Sequence, residues 1–239
     1  MTGRQRHRIP SFVRRGMRMT RAQAKAWQRL NHRYVLPLAR GAGATEVAAI
    51  HRLDLAACFP TLPADAPTIV EIGTGTGDQL IHAATTNRDT RFLGAEVWRP
   101  GIAHAMMGAH DAQLDNVRFI EADAQQCLVM LLGEANVDEV WTFFPDPWQK
   151  ARHHKRRLVN PQFATDVATV LRDGGKWRLA TDWRNYASQM IHVLAAHRDF
   201  DLYSCGRYPH RIATRFEMRA EREGRFPFDL TAIRRPRGY

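Results

Sequence analysis

The chain has 239 residues, long enough for one sizeable α/β core with extensions. Its 44% apolar and 25% charged residues exclude disorder along its whole length. No run of eighteen apolar residues occurs, so no membrane span is expected. The formal net charge of +11 suits a polyanionic partner, and its distribution is uneven: residues 1 to 45 carry eleven Lys or Arg and no acid before Glu46.

In chain order, Thr20 and Gln23 have the spacing of a capping box, and Ala22–Leu38 follows with apolar residues at helical intervals. This predicts a basic arm leading into a helix. From Pro67 onward short apolar runs alternate with helix-like segments. Strands are predicted at Thr68–Ile72, Phe92–Val97, Val117–Ile120, Glu139–Phe144 and Trp177–Ala180, with helices at Asp78–Ala84, Gly101–Asp111, Ala124–Leu132 and Pro161–Leu171. Asn160–Pro161 reads as an N-cap followed by proline at the first helical position, and Gly174–Gly175 as a helix stop. Such alternation predicts a doubly wound α/β fold, a mostly parallel sheet with helices on both faces. Its ligand site lies beyond the carboxyl ends of the strands. The segment after Asp199 is charge-rich, with short strand-like runs, and is expected to finish the sheet with an antiparallel hairpin.

The first strand ends in Glu71-Ile72-Gly73-Thr74-Gly75-Thr76-Gly77-Asp78. Glycines at 73, 75 and 77 let the backbone turn sharply and approach a ligand. Their GxGxG spacing differs from the GxGxxG of dinucleotide-binding oxidoreductases. Glu96 ends the second strand, placed to accept hydrogen bonds from ribose hydroxyls. Asp123 follows the third, placed to accept from an adenine amine. Any one of these is an ordinary turn, cap or surface charge. Three at consecutive strand ends describe a nucleoside pocket, and the arrangement resembles the class I S-adenosylmethionine methyltransferase fold. That resemblance implies seven strands, one of them antiparallel near the C-terminus, with Glu71 near the methionine end of the cofactor.

The fourth strand runs into Phe143-Phe144-Pro145-Asp146-Pro147-Trp148, where two prolines present a single carboxylate from a stiff loop and Trp148 offers a face to a base. Lys150, Arg152, Lys155, Arg156 and Arg157 follow at once, with His153 and His154 between them. Charge runs are usually solvated surface, but this one is joined to the site loop and reads as a phosphate-binding strip.

The run PDPW-x-K-x-R-H-x-K-R-R resembles the signature of the bacterial tRNA (guanine-N7-)-methyltransferases. Matches to that family extend along nearly the whole chain, through Ser11-Phe12-Val13-Arg14-Arg15 with Arg18 and Thr20, Gly94-Ala95-Glu96-Val97 with Arg99-Pro100-Gly101, Ala180-Thr181-Asp182-Trp183 with Tyr186, and Thr214-Arg215-Phe216-Glu217 with Arg219. The resemblance implies that Glu71, Glu96, Asp123 and Asp146 line the cofactor pocket and that Asp146 is catalytic. It further implies that Lys150, Asp182 and Thr214, Arg215, Phe216 and Glu217 contact the substrate nucleotide, that Arg152, His153, His154, Lys155, Arg156 and Arg157 hold the RNA, and that Arg18 reaches the active site. The expected reaction is methylation of guanine N7 in the tRNA variable loop. An amine-directed methyltransferase and a non-catalytic RNA-binding protein are the alternatives.

The expected division is an arm and helix over residues 1–45 and a methyltransferase domain over 46–239. Cys58, Cys127 and Cys205 are too far apart for a disulfide framework or a metal site, so no metal is expected. No obligatory protein partner is expected. The basic start lacks a secretory apolar stretch and is too poor in serine for a mitochondrial transit peptide, so a cytoplasmic location is expected.

Overall fold

The computed structural model describes residues 10–13, 16–40, 47, 52–204 and 206–238, apart from the side chains of Gln126, Cys127, Ser204, Arg215 and Phe216. Arg14, Arg15, Glu46 and Cys205 therefore lie outside the described residues, as do the side chains of Cys127, Arg215 and Phe216.

Two helices, α1 (Arg21–Tyr34) and α2 (Leu55–Cys58), precede the alternating part. There β1 (Thr68–Ile72), β2 (Arg91–Glu96), β3 (Val117–Glu121), β4 (Val137–Phe143) and β5 (Leu171–Thr181) are separated by α3 (Asp78–Thr86), α4 (Arg99–Asp111), α5 (Ala124–Leu132) and α6 (Pro161–Val170). The chain ends with α7 (Arg184–Ala196), β6 (Phe200–Ser204), α8 (Arg215–Arg222) and β7 (Phe228–Arg234). The seven strands lie in the order β3-β2-β1-β4-β5-β7-β6. Only β7 runs antiparallel to its neighbours, which matches the expected sheet.

Alternation along the strands divides the core in two. Val70 and Ile72 face a layer containing Leu128 of α5, Phe163 and Val167 of α6, and Tyr186 and Met190 of α7. Ile69 and Phe92 face the other layer, with Leu80 of α3, Ile102 and Met106 of α4, and Tyr34 of α1. The N-terminal helix thus shares the core of the sheet. No helix among the described residues is long and apolar enough to cross a membrane.

Local chemistry accounts for the boundaries. The capping box of α1 forms as expected, Gln23 N–H donating to Thr20 Oγ1 at 3.2 Å and Thr20 N–H to Gln23 Oε1 at 2.9 Å. Helix α1 stops at Tyr34, short of the expected Leu38, because Pro37 disfavours helical geometry in the residue before it. Val35 turns extended, and the N–H of Leu36 bonds to the carbonyl of Phe119 at the edge of β3. Asn160 caps α6 through Phe163 N–H at 3.0 Å. The glycine pair does not act as the expected helix stop. Helix α6 ends at Val170, and Gly174 (φ +77°) and Gly175 lie inside a β5 much longer than Trp177–Ala180. The register against β4 shifts there, so the glycines form a bulge.

Candidate active site

The strand order sets the carboxyl ends of β3, β2, β1, β4 and β5 side by side. Asp123, Glu96, Glu71, Asp146 and Asp182 therefore follow one another along a single rim. Chain order reverses between β1 and β4, where open α/β sheets bind ligands.

On the β1 side, Gly73, Gly75 and Gly77 all adopt left-handed backbone, at φ +76°, +55° and +80°. A Cβ on Gly77 would stand 2.4 Å from Cβ of Ala105, so only glycine lets α3 start against α4. The carboxylate of Glu96 ties the loops together, accepting from Gly75 N–H at 2.8 Å, Val97 N–H at 2.8 Å and Trp98 N–H at 2.9 Å. A carboxylate has about four acceptor sites, which leaves capacity for a further donor. Asp123 caps α5, accepting from Gln125 N–H at 3.1 Å.

Glu71 is buried, and its Oε2 has no hydrogen-bond partner among the described residues. Burial, and then the nearby charges of Glu96 and Asp78, push its carboxyl up to about 8. A buried acid among acids, beneath an open glycine loop, suits a ligand that brings positive charge. The acceptor set thus fits S-adenosylmethionine, with its sulfonium and ammonium groups, and Glu71, Glu96 and Asp123 are the residues that could hold it.

Beyond β4, two non-glycine residues bracket the Pro-Asp-Pro turn in left-handed backbone, Phe144 at φ +51° and Trp148 at +42°. Such geometry costs on the order of 1–3 kcal/mol per residue and persists where surroundings enforce it. Phe144 N–H bonds to the Ala180 carbonyl at 2.8 Å, and Arg157 Nε donates to the Pro147 carbonyl at 2.9 Å. The turn is braced from both sides. Asp146 is half-buried at its tip.

The arm lies across this rim. Val13 N–H donates to Asp146 Oδ2 at 2.8 Å, and Trp148 Nε1 to the Ser11 carbonyl at 2.7 Å. Arg156 donates to the Pro10 carbonyl at 3.2 Å while its guanidinium covers one face of Trp148, 3.6 Å from the ring centroid. Trp98, after β2, donates to the Gly16 carbonyl at 2.9 Å. Residues 10–13 thus lie against the loop after β4, and Gly16 against the loop after β2. Arg18 is exposed just beyond.

The cationic strip divides. Lys150, Arg152 and Lys155 are exposed on and beside a 3-10 helix (Ala151–Arg156), with His153 and His154 half-buried. Partial desolvation, and then the surrounding cations, hold His153 below the ordinary histidine range. Arg157 departs from its expected phosphate-binding role. It is 1% exposed, stacks on Tyr186 and donates to Gln189 Oε1 at 2.7 Å as well as to Pro147, so it braces the loop.

Glu217 departs too. It is fully buried and clamped by Arg207 and Arg211, and no substrate can reach it in this arrangement. Burial works to raise its carboxyl, but the two guanidinium groups outweigh this and hold it below the ordinary range. Arg211, equally buried, also pairs with Asp229 at 2.7 Å and lies 5.2 Å from the ring centroid of Phe144. Thr214 caps α8. Asp182 accepts from Arg225 Nε at 2.8 Å. The pairings of Arg211 with Asp229 and of Arg99 with Glu121 at 2.8 Å join residues 18 and 22 positions apart, and no spacing in the sequence signals them.

A glycine loop between β1 and α3, a row of acids along the rim and a seven-stranded sheet with β7 reversed define a class I S-adenosylmethionine-dependent methyltransferase. The solved 16S rRNA methyltransferase KamB shares this fold, with a TM-score of 0.58 at 16% identity over 84% of this chain and 100% of that one. Residues 65–230 match the family model described as "Putative methyltransferase". The tRNA (guanine-N(7)-)-methyltransferase of Cutibacterium acnes is 44% identical over 95% of this chain and 84% of its own length. That of Paenarthrobacter aurescens is 44% identical over 80% of this chain, which spans 62% of that relative. The chain belongs to the tRNA (guanine-N(7)-)-methyltransferase family.

Proposed function

We propose that this chain transfers the methyl group of S-adenosylmethionine to N7 of a guanine in tRNA, in the variable loop. The observation that carries this reading is the position of Asp146, on a braced turn between the buried acid Glu71 and the exposed cations Lys150, Arg152 and Lys155.

S-adenosylmethionine supplies an electrophilic methyl on sulfur, which keeps the C–S bonding pair as N7 forms its new bond. Guanine N7 attacks with a free lone pair and carries no proton, so the chain needs no general base. The donors of guanine, N1–H and the exocyclic amine, lie on its other edge, where a carboxylate is a two-point acceptor. Asp146 grips that edge and balances the positive charge that methylation leaves on the ring. Lys150, Asp182 and the backbone around Thr214 complete the nucleotide site, while Arg152, Lys155 and the two histidines hold phosphates. Arg18, beside the arm's crossing, approaches from the opposite side. Exposing N7 to the methyl group requires drawing the base from its stack, and holding it in line supplies most of the rate advantage.

The test is incubation with unmodified tRNA and S-adenosylmethionine, followed by nucleoside mass spectrometry and mapping of the modified position. N7-methylguanosine in the variable loop is the expected product. A methylated amine, or binding of tRNA without transfer, would replace this reading.

A further inference from the structure

A cavity of about 680 Å³ opens at the far end of the rim, past β5. Asp182, Trp183 and Arg184 form one wall, and Arg225, Phe226 and Phe228 the other. Phe228 begins β7 directly opposite Thr181, so both walls stand at the level of Asp182. Phe226 is 70% and Phe228 41% exposed, although neighbouring Asp229 and Leu230 are buried. The fold does not use these two rings.

Their setting narrows the occupant. Rings in a cleft with polar groups between them offer stacking faces together with hydrogen-bonding edges, the combination that binds unpaired nucleobases. Arg184 adds positive charge at the mouth, and the Asp182 carboxylate is held in place by Arg225 at 2.8 Å. A contact between two copies of the chain would place Asp182, Arg184 and Arg225 in its centre, where protein interfaces are depleted of charge. Adjacent strands lie about 4.8 Å apart, so β7 is roughly 10 Å from β4, the strand that presents Asp146. The cavity therefore adjoins the target position without coinciding with it.

We propose that this cavity holds the nucleobase of an RNA nucleotide next to the target guanine, stacked on Phe226 and Phe228, with Arg184 and Arg225 meeting its polar edge. The assignment rests on the RNA-methylating function above. It gives the enzyme a second grip on the extruded strand, so that the target cannot be drawn out without its neighbour.

The experiment combines Phe226→Ala with tRNAs made abasic at one or the other nucleotide flanking the mapped guanine. Phe226→Ala should raise the KM and the Kd for tRNA about tenfold, the scale of one lost base–aromatic stack. The thermal shift induced by S-adenosylmethionine should be unchanged, and Phe226→Trp should restore tRNA affinity. One of the two abasic tRNAs should bind the wild-type enzyme about as weakly as intact tRNA binds the variant, and the variant should lose nothing further with it. Equal losses with abasic RNA in both proteins would overturn the proposal, as would a concentration-dependent mass in the wild type that Phe226→Ala abolishes, which marks a contact between copies. The affinity arm needs no turnover, so failure of methyl transfer itself is read separately.

Discussion

The backbone N–H of Val13 lies 2.8 Å from the carboxylate of Asp146, a contact that joins residues 133 positions apart. The arm and the turn that carries Asp146 are therefore joined. Deleting residues 1–19 should leave binding of S-adenosylmethionine within a few-fold of normal and slow methyl transfer to tRNA by roughly 100-fold, about 2.7 kcal/mol of barrier. Normal single-turnover rates in the truncated protein would separate the arm from the chemistry.

Glu71 is expected to make cofactor binding depend on pH. Its carboxyl titrates near 8 in the folded protein, raised by burial first and then by Glu96 and Asp78, so it is mostly protonated at pH 7. A cationic ligand favours the ionised form. Affinity for S-adenosylmethionine should rise by up to about tenfold per pH unit toward pH 8 and then level off, and Glu71→Gln should flatten the profile. The linked effect on stability has the opposite sign. Between an unfolded value near 4.3 and about 8, the fold binds the extra proton, so ligand-free stability falls as pH rises. Glu71→Gln should raise the melting temperature at pH 7.5, and a lower one would refute the assignment.

Exposure separates two kinds of arginine in the strip. Changing Arg152 and Lys155 together to Ala should reduce the log–log salt slope of tRNA binding by roughly 1.8 on duplex and less on single strands, about 0.9 per phosphate contact. Arg157→Ala should leave that slope alone and lower thermal stability instead, because it removes the brace on Pro147. Salt titrations of both proteins against the same tRNA decide the matter.

The clamp around Glu217 permits a similar division. Arg211→Ala strands Asp229 in the interior and leaves Glu217 with Arg207 alone, and should cost about 3–5 kcal/mol in a denaturant titration. A substitution costing under about 1 kcal/mol, with tRNA KM raised instead, would return Glu217 to the substrate.

Asp146→Ala should depress the single-turnover rate far more than tRNA affinity, since phosphate contacts elsewhere supply most binding. The wild-type rate should vary little from pH 6 to 8. A tenfold rise per pH unit, lost in Asp146→Asn, would make Asp146 a proton acceptor and point to an amine substrate.

The sheet and its acids were legible because both obey local rules. Short apolar runs mark β1 to β4 within a residue or two, and an acid at or just after a strand's carboxyl end lies on the rim. Three features escaped those rules. Gly174–Gly175 satisfy a helix stop and a bulge equally well, and only the register against Val137 and Glu139 decides between them. Arg156 and Arg157 are adjacent and identical in type, yet Tyr186 and Gln189 of α7, far along the chain, bury only the second. Glu217 lies in a motif that suggests ligand contact, but its environment comes from Arg207 and Arg211, whose approach no spacing encodes.

The position of β7 bears on how the chain matures. Among the described residues β7 is the strand furthest along the chain, and it is not an edge strand: it lies between β5 and β6, pairing with Thr181 through Lys176 on one side and with Phe200 to Ser204 on the other. Until residues 228–234 arrive, β5 presents an unpaired edge of the kind that invites pairing with other chains. A nascent chain that has already made Asp123, Glu96, Glu71 and Asp146 still lacks the strand that closes the sheet. Loss of residues 228–234 would thus be no mild trimming. It would leave a complete set of site residues on a sheet with β6 detached, a species expected to aggregate before it could bind anything.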